Sequence, residues 1–198
     1  VGPIAVAPTF ERLIQDVSRA ASSSVFFAHF LMPHYPYVYD QNCGVRTPVT
    51  SWRLRQDGKH GNTPESRRRS YAQYFDQVQC VQKRLDSLFS AMKRAGSFDD
   101  ATIVIHGDHG ARIGLTDPAA GTVSQLTPAD YADAYSTLFV VKAPDTNAGV
   151  DSRMLPLADL MSYAGNRRDD RLSEPQTPTV FVDTGEASAT PFPLPRFP

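Results

Sequence analysis

The chain has 198 residues, 41% hydrophobic and 21% charged, with a formal net charge of -1. That length can bury a sizeable core, and the near-neutral balance excludes nucleic-acid binding through overall charge. No apolar run approaches the ~20 residues of a membrane-spanning helix, and a total of 2 cysteines, Cys43 and Cys80, excludes a zinc ribbon or a disulfide-dense scaffold.

The opening stretch, "VGPIAVAPTF", lacks the charged start and long apolar core of a signal peptide. A chain that begins with Val reads as a processed product or an excised piece. Thr9 fits the N-cap of a first helix, with Glu11 in its first turn and apolar positions at Phe10, Leu13, Ile14 and Val17. The run "SVFFAHFLM", 24–32, is β-branched, aromatic and aliphatic and closes at Pro33, which predicts a central strand. Residues 33–63 lack a clear period, and an irregular stretch of about thirty residues inside a compact domain is often functional.

The best helical signal starts at Thr63 as N-cap with Pro64 at the first helical position. Its apolar positions are Tyr71, Tyr74, Phe75, Val78, Val81, Leu85, Leu88, Phe89 and Met92, so that stripe is the expected core face, and Gly96 closes the helix. The basic run Arg67–Arg69 reads as a solvated helix face. A strand follows at 102–106, another at 135–144, a short helix at 154–165 and a last strand at 177–185. The Pro-rich end, "ATPFPLPRFP", reads as an extended or mobile tail. The expected division is one domain over 1–186 and a tail over 187–198. Helices alternating with buried strands argue for an α/β fold, a mostly parallel sheet sandwiched by helices. Ligands of such sheets sit at the carboxyl ends of the strands.

Two polar clusters lie at strand ends. In "TIVIHGDHGARIG", 102–114, Gly107 and Gly110 flank Asp108 and His109. Glycines permit unusual dihedrals and close backbone approach, so two adjacent side chains can converge where strand alternation would separate them. A carboxylate beside a neutral imidazole is half of a divalent-metal site. The alternative is a turn-forming Asp and a His that caps the sheet. His106, the last strand residue, is placed to brace Asp108 or the metal. His34, in "LMPHYPYVYD", is stiffened by Pro33 and Pro36 and can give a proton to a leaving group or bind an anionic oxygen, the alternative being a surface His held by those prolines. His29 reads as structural. Lys59 and His60, in "RQDGKHGN", and Arg112 beyond the glycine turn are cationic candidates for an anionic substrate; for the loop pair a solvated role competes.

The segments "FFAHFLMPHYPYVYD", "YAQYFDQVQCVQKRLDSLFSAMKRAGSFDDATIVIHGDHGARIG" and "DYADAYSTLFVVKAP" resemble, in order, the later part of the sulfatase-like domain of the alkaline phosphatase superfamily. That superfamily includes sulfatases, phosphonate monoester hydrolases and phosphoglycerol and phosphoethanolamine transferases. The resemblance covers roughly residues 24 to 165. It implies Asp108 and His109 as paired metal ligands and His34 as a contact to the transferred group or leaving oxygen. The implied reaction is in-line displacement at phosphorus or sulfur by an activated Ser, Thr or formylglycine, through a covalent intermediate. It implies one divalent ion, Mn, Zn or Ca, and an imidazole ligand fits the first two better than an all-oxygen calcium cage.

The sequence departs from the family pattern in two respects. It has no C-x-P-x-R or S-x-P-x-R segment, and no His follows His109. The expectation is therefore the C-terminal portion of a larger catalytic domain, with the nucleophile upstream and the isolated chain inactive. Its missing partner would be the N-terminal half of the domain. An incomplete sheet also predicts association with a second copy through an exposed edge. Cys80 lies nine residues after Tyr71, about 180° from the apolar stripe, so a bridge from Cys43 and two free thiols are both open. A bridge would place the protein outside the cytoplasm or in a periplasm, tethered to a membrane as some family members are. The competing readings are a lipid-headgroup phosphotransferase and a non-catalytic binding or scaffolding relative. A nucleotide-binding domain lacks its Gly-rich loop here.

Overall fold

The computed structural model describes residues 3–21, 23–52, 62–114, 116–119, 121–144, 146–165, 177, 179–182 and 189–194. The chain divides into two compact units, Val1–Asp100 and Ala101–Pro198.

In the first unit, α1 spans Val6–Ser18 and begins one turn before the expected cap, with Ala5 at the N-cap position. Thr9 lies inside the first turn and its hydroxyl donates to the Ala5 carbonyl at 2.7 Å. Pro8 explains the earlier start, because a proline in the first turn of a helix costs no hydrogen bond. α2 spans Pro64–Arg94. The Thr63 hydroxyl accepts the Ser66 N–H at 3.1 Å. At the far end Gly96 takes a left-handed φ of 71°. The Gly96 and Ser97 N–H groups then close on the carbonyls of Lys93 and Met92 at 3.1 and 3.0 Å, which satisfies carbonyls that the helix leaves open.

The buried face of α2 keeps Leu88 and Met92 of the expected stripe and departs from it elsewhere. Gln77, Cys80, Leu88, Ala91 and Met92 are buried, whereas Phe75 is exposed. Cys80, expected opposite the core, is 1% exposed and packs with Val6, Phe10, Met32, Val38 and Tyr39. What covers α2 decides this: α1 and the segment near Val38 arrive on the Gln77–Cys80 side. Cys43 and Cys80 are joined by a disulfide, with Cα atoms 5.0 Å apart.

Residues 24–32 form no strand. They carry no regular secondary structure, with Val25 and Phe27 exposed by 93% and 91%. A strand needs a neighbour for its N–H and C=O groups, and among the described residues none pairs with this run.

In the second unit, β1 (Ile103–His106) pairs antiparallel with β2 (Phe139–Lys142), Ile103 opposite Lys142 and His106 opposite Phe139. Between them α3 spans Pro128–Tyr135, an element not expected from the apolar pattern. Thr127 and Asp130 form a reciprocal capping box at its start. α4 (Leu157–Gly165) lies against β2. β3 (Thr179–Val182) pairs antiparallel with β4 (Thr190–Pro193). β4 falls within the expected mobile tail. Its two prolines, Pro191 and Pro193, are compatible with an edge strand, where an N–H can be spared. Val123, Tyr131, Val180 and Val182 form a buried cluster. Among the described residues the strands pair only antiparallel, in two-stranded sheets.

Candidate functional site

The turn after β1 is held by α3 and the residues behind it. The Gly107 N–H donates to the Leu138 carbonyl at 3.0 Å, the Gly110 N–H to Ala134 at 2.9 Å and the Arg112 N–H to Asp133 at 3.2 Å. One carboxylate oxygen of Asp133 accepts the Ile113 and Gly114 N–H groups at 2.6 and 2.7 Å. The buried Asp130 accepts the Thr116 N–H at 3.1 Å with its other oxygen committed to the capping box. Gly107 is thus tied to Leu138, and Gly110, Arg112, Ile113, Gly114 and Thr116 to α3.

The glycines serve this closeness rather than a special dihedral. Among the described glycines the left-handed region is taken by Gly96, not by Gly107 or Gly110. A Cβ at Gly110 would lie 2.0 Å from the Asp133 carbonyl oxygen, and one at Gly107 would lie 2.3 Å from the Thr137 hydroxyl. The left-handed residue of the turn is Arg112, with φ 55°.

Asp108 and His109 project from the pinned turn. The Asp108 side chain is 74% exposed, and its Oδ1 stands 3.8 Å from His109 Nε2. His109 Nδ1 is 2.7 Å from the Gly110 carbonyl oxygen. A carbonyl only accepts, so Nδ1 carries the proton and Nε2 of the neutral ring keeps its lone pair. Two ligands at about 2.1 Å from a tetrahedral ion stand roughly 3.4 Å apart. The observed separation is within a few tenths of an ångström of that, so the pair fits two positions of one divalent ion. Among the described residues no group of three or more His, Cys, Asp or Glu could hold a metal. The remaining ligands would have to come from elsewhere.

His106 ends β1 with Nδ1 3.2 Å from the Gly107 carbonyl oxygen and its ring against Phe139, centroids 6.2 Å apart. His34 belongs to the first unit, half-buried in a turn between Pro33 and Pro36, both with cis peptide bonds. Its Nδ1 is 2.5 Å from the Tyr35 carbonyl oxygen, so by the same argument Nδ1 carries the proton of the neutral ring. Arg112 is close enough to Tyr135 to lower that phenol's pKa, although burial dominates and raises it. Lys59 and His60 lie outside the described residues. The structure therefore puts His106 at the end of β1, brings Asp108, His109 and Arg112 onto the turn that follows it, and sets His34 on a turn of the other unit.

Two residues emerge that carry no signal in the apolar pattern. Asp133 pins the glycine turn, and its helix was legible in Thr127-Pro128-Ala129-Asp130, a cap followed by an acid three residues on. Gln77 holds the His34 turn, and nothing in the sequence marks one helix glutamine over its neighbours.

A family model described as Sulfatase matches residues 5–164. Curated relatives include the lipoteichoic acid synthases of Staphylococcus aureus strains USA300 and COL, each 23% identical over 150 residues, covering 72% of this chain and 20% of the relative. The chain spans about a fifth of the length of these relatives. No solved structure matches it.

Proposed function

Because the chain belongs to the Sulfatase family of the alkaline phosphatase superfamily, we propose that it carries part of the active site of a metal-dependent hydrolase or transferase acting on an anionic ester. The observation behind this reading is the 3.8 Å approach of His109 Nε2 to Asp108 Oδ1, with the His109 tautomer fixed by the Gly110 carbonyl. Asp108 and His109 would hold a divalent cation, Mn, Zn or Ca, with the imidazole favouring the first two. When bound, such an ion polarises the ester and eases ionisation of a nucleophilic hydroxyl. His34 Nε2 accepts a proton from an incoming hydroxyl, or gives one to the leaving oxygen once the ring is charged. Arg112, and Lys59 with His60, supply positive charge for the substrate's anionic group. The nucleophile and the remaining ligands would come from residues other than Asp108 and His109, beyond those described. The disulfide Cys43–Cys80 supports an oxidising, extracytoplasmic location for this part of the protein, with a membrane tether outside it.

Transfer to an acceptor hydroxyl is a second form of the same chemistry, and the relatives that are synthases by name favour it over hydrolysis.

The test is activity of the full-length protein on an aryl sulfate and an aryl phosphodiester, with and without Mn or Zn, and with an added alcohol acceptor. Metal-dependent turnover is expected, abolished by Asp108→Ala and His109→Ala and strongly reduced by His34→Ala. Unchanged rates in all three variants would remove the assignment. Complete absence of turnover on every ester would favour a binding or scaffolding role.

A further inference from the structure

Gln77 is 1% exposed and heads the fully buried side chains by size. A primary amide has two N–H donors and a carbonyl oxygen with two lone pairs. In α2 all of this capacity is spent on one turn. Nε2 donates to the Pro33 and His34 carbonyls, both at 3.1 Å. Oε1 accepts the Val38 and Tyr39 N–H groups at 2.8 and 3.1 Å. The first two partners lie on the entry leg of the turn and the last two on its exit leg.

His34 makes ring contacts with its own neighbour, Nδ1 to the Tyr35 carbonyl oxygen at 2.5 Å and the two rings 4.0 Å apart. Such contacts orient the ring relative to the turn. They do not orient the turn relative to the protein. Gln77 ties the His34 carbonyl to α2, and it does so from a buried site, while the Tyr37 ring meets Tyr74 of the same helix further along the turn. A buried amide that meets four backbone groups tolerates little displacement, because each lost hydrogen bond leaves a buried polar group unpaired.

We propose that Gln77 is the positioning residue of His34, setting where the imidazole stands for ester chemistry. The proposal rests on the reading of His34 as a participant in that chemistry. The competing possibility is that Gln77 contributes only to the cohesion of the Cys80 core.

Two variants separate these. Gln77→Met keeps the volume and removes all four hydrogen bonds. Gln77→Glu keeps the acceptors for Val38 and Tyr39 and loses donors to the Pro33 and His34 carbonyls. The first measurement is the nuclear magnetic resonance spectrum of the 198-residue chain, read at the histidine ring nitrogens. Both variants are expected to shift and broaden the His34 signals while those of His109 stay in place. Unchanged His34 signals in a folded variant would overturn the proposal whatever the activity. The second measurement is a kinetic cycle in the full-length protein with an aryl phosphodiester and saturating Mn. Gln77→Met is expected to lower kcat by on the order of 100-fold, the scale of an ångström's misplacement, with a much smaller change in KM. In a His34→Ala background it should lower kcat no further. Losses that multiply across the two backgrounds would show Gln77 acting apart from His34 and would overturn the proposal. A His34→Ala variant with wild-type kcat would instead overturn the reading of His34, leaving the ring signals to decide the positioning role. If Gln77→Met does not fold, the Gln77→Glu variant gives both answers.

Discussion

Asp133 Oδ2 lies 2.7 Å from the Gly114 amide nitrogen and takes the Ile113 N–H at 2.6 Å as well. One carboxylate therefore closes the far end of the turn that carries Asp108 and His109. Hydrogen bonds to a charged acceptor contribute about 1.5–3 kcal/mol, and a buried donor left without one costs a comparable amount. Asp133→Ala should destabilise the second unit by about 1–3 kcal/mol and speed hydrogen exchange at Ile113 and Gly114. Unaltered exchange at those two amides would count against the clamp.

Gly110 sits where its missing side chain matters. A Cβ there meets the Asp133 carbonyl oxygen at 2.0 Å, and that atom belongs to a helix backbone that cannot swing aside. Gly110→Ala should cost at least the ~1–3 kcal/mol of ordinary overpacking and weaken the proposed metal binding, because relief of the clash moves His109. Gly121→Ala is the control, since nothing lies within 4 Å of its added Cβ. Equal urea midpoints for the two variants would refute this account.

The disulfide closes a loop with a sequence separation of 37. Chain-entropy arguments give such a cross-link about 4 kcal/mol. Both cysteines should resist alkylation until a reductant is added, and reduction should lower the unfolding midpoint of the first unit while the second unit is unaffected. Ready alkylation of the native, unreduced protein would exclude the bond.

Burial pushes the Tyr135 phenol above its ordinary pKa, against the opposing charge of Arg112 and with a smaller contribution from Tyr131. A raised value means the fold favours the neutral phenol. That contribution is complete below the usual tyrosine pKa of about 10 and disappears as pH climbs through the folded-state value. The second unit should therefore lose stability in the alkaline range, and Tyr135→Phe should flatten part of that loss. Superimposable pH profiles for the two proteins would contradict the assignment.

Some of these features were legible in the residues alone. Thr63, Pro64 and Gly96 marked both ends of α2 because caps and left-handed closures depend on local chemistry. The strand 102–106 and the Asp108–His109 pair at its end were legible for the same reason. The face of α2 was not. Tyr71, Tyr74 and Phe75 fit a helical stripe, yet Phe75 is exposed and Cys80 is in the core. A wide apolar surface on a helix leaves several rotations open, and the neighbours that arrive select one. Residues 24–32 show the reverse case. Their composition suits a strand, but a strand is a relation to a partner, and among the described residues they have none.

By itself the sequence determined the elements with local punctuation and the acid–imidazole pair between two glycines, because capping, turn chemistry and ligand type are properties of adjacent residues. Only the tertiary structure decided that Asp133 and Gln77 hold the turns that carry Asp108–His109 and His34, and that the strands of the described units pair antiparallel. Those outcomes depend on hydrogen bonds between groups far apart in the chain, such as Gln77 with Val38, for which no local pattern selects the partner.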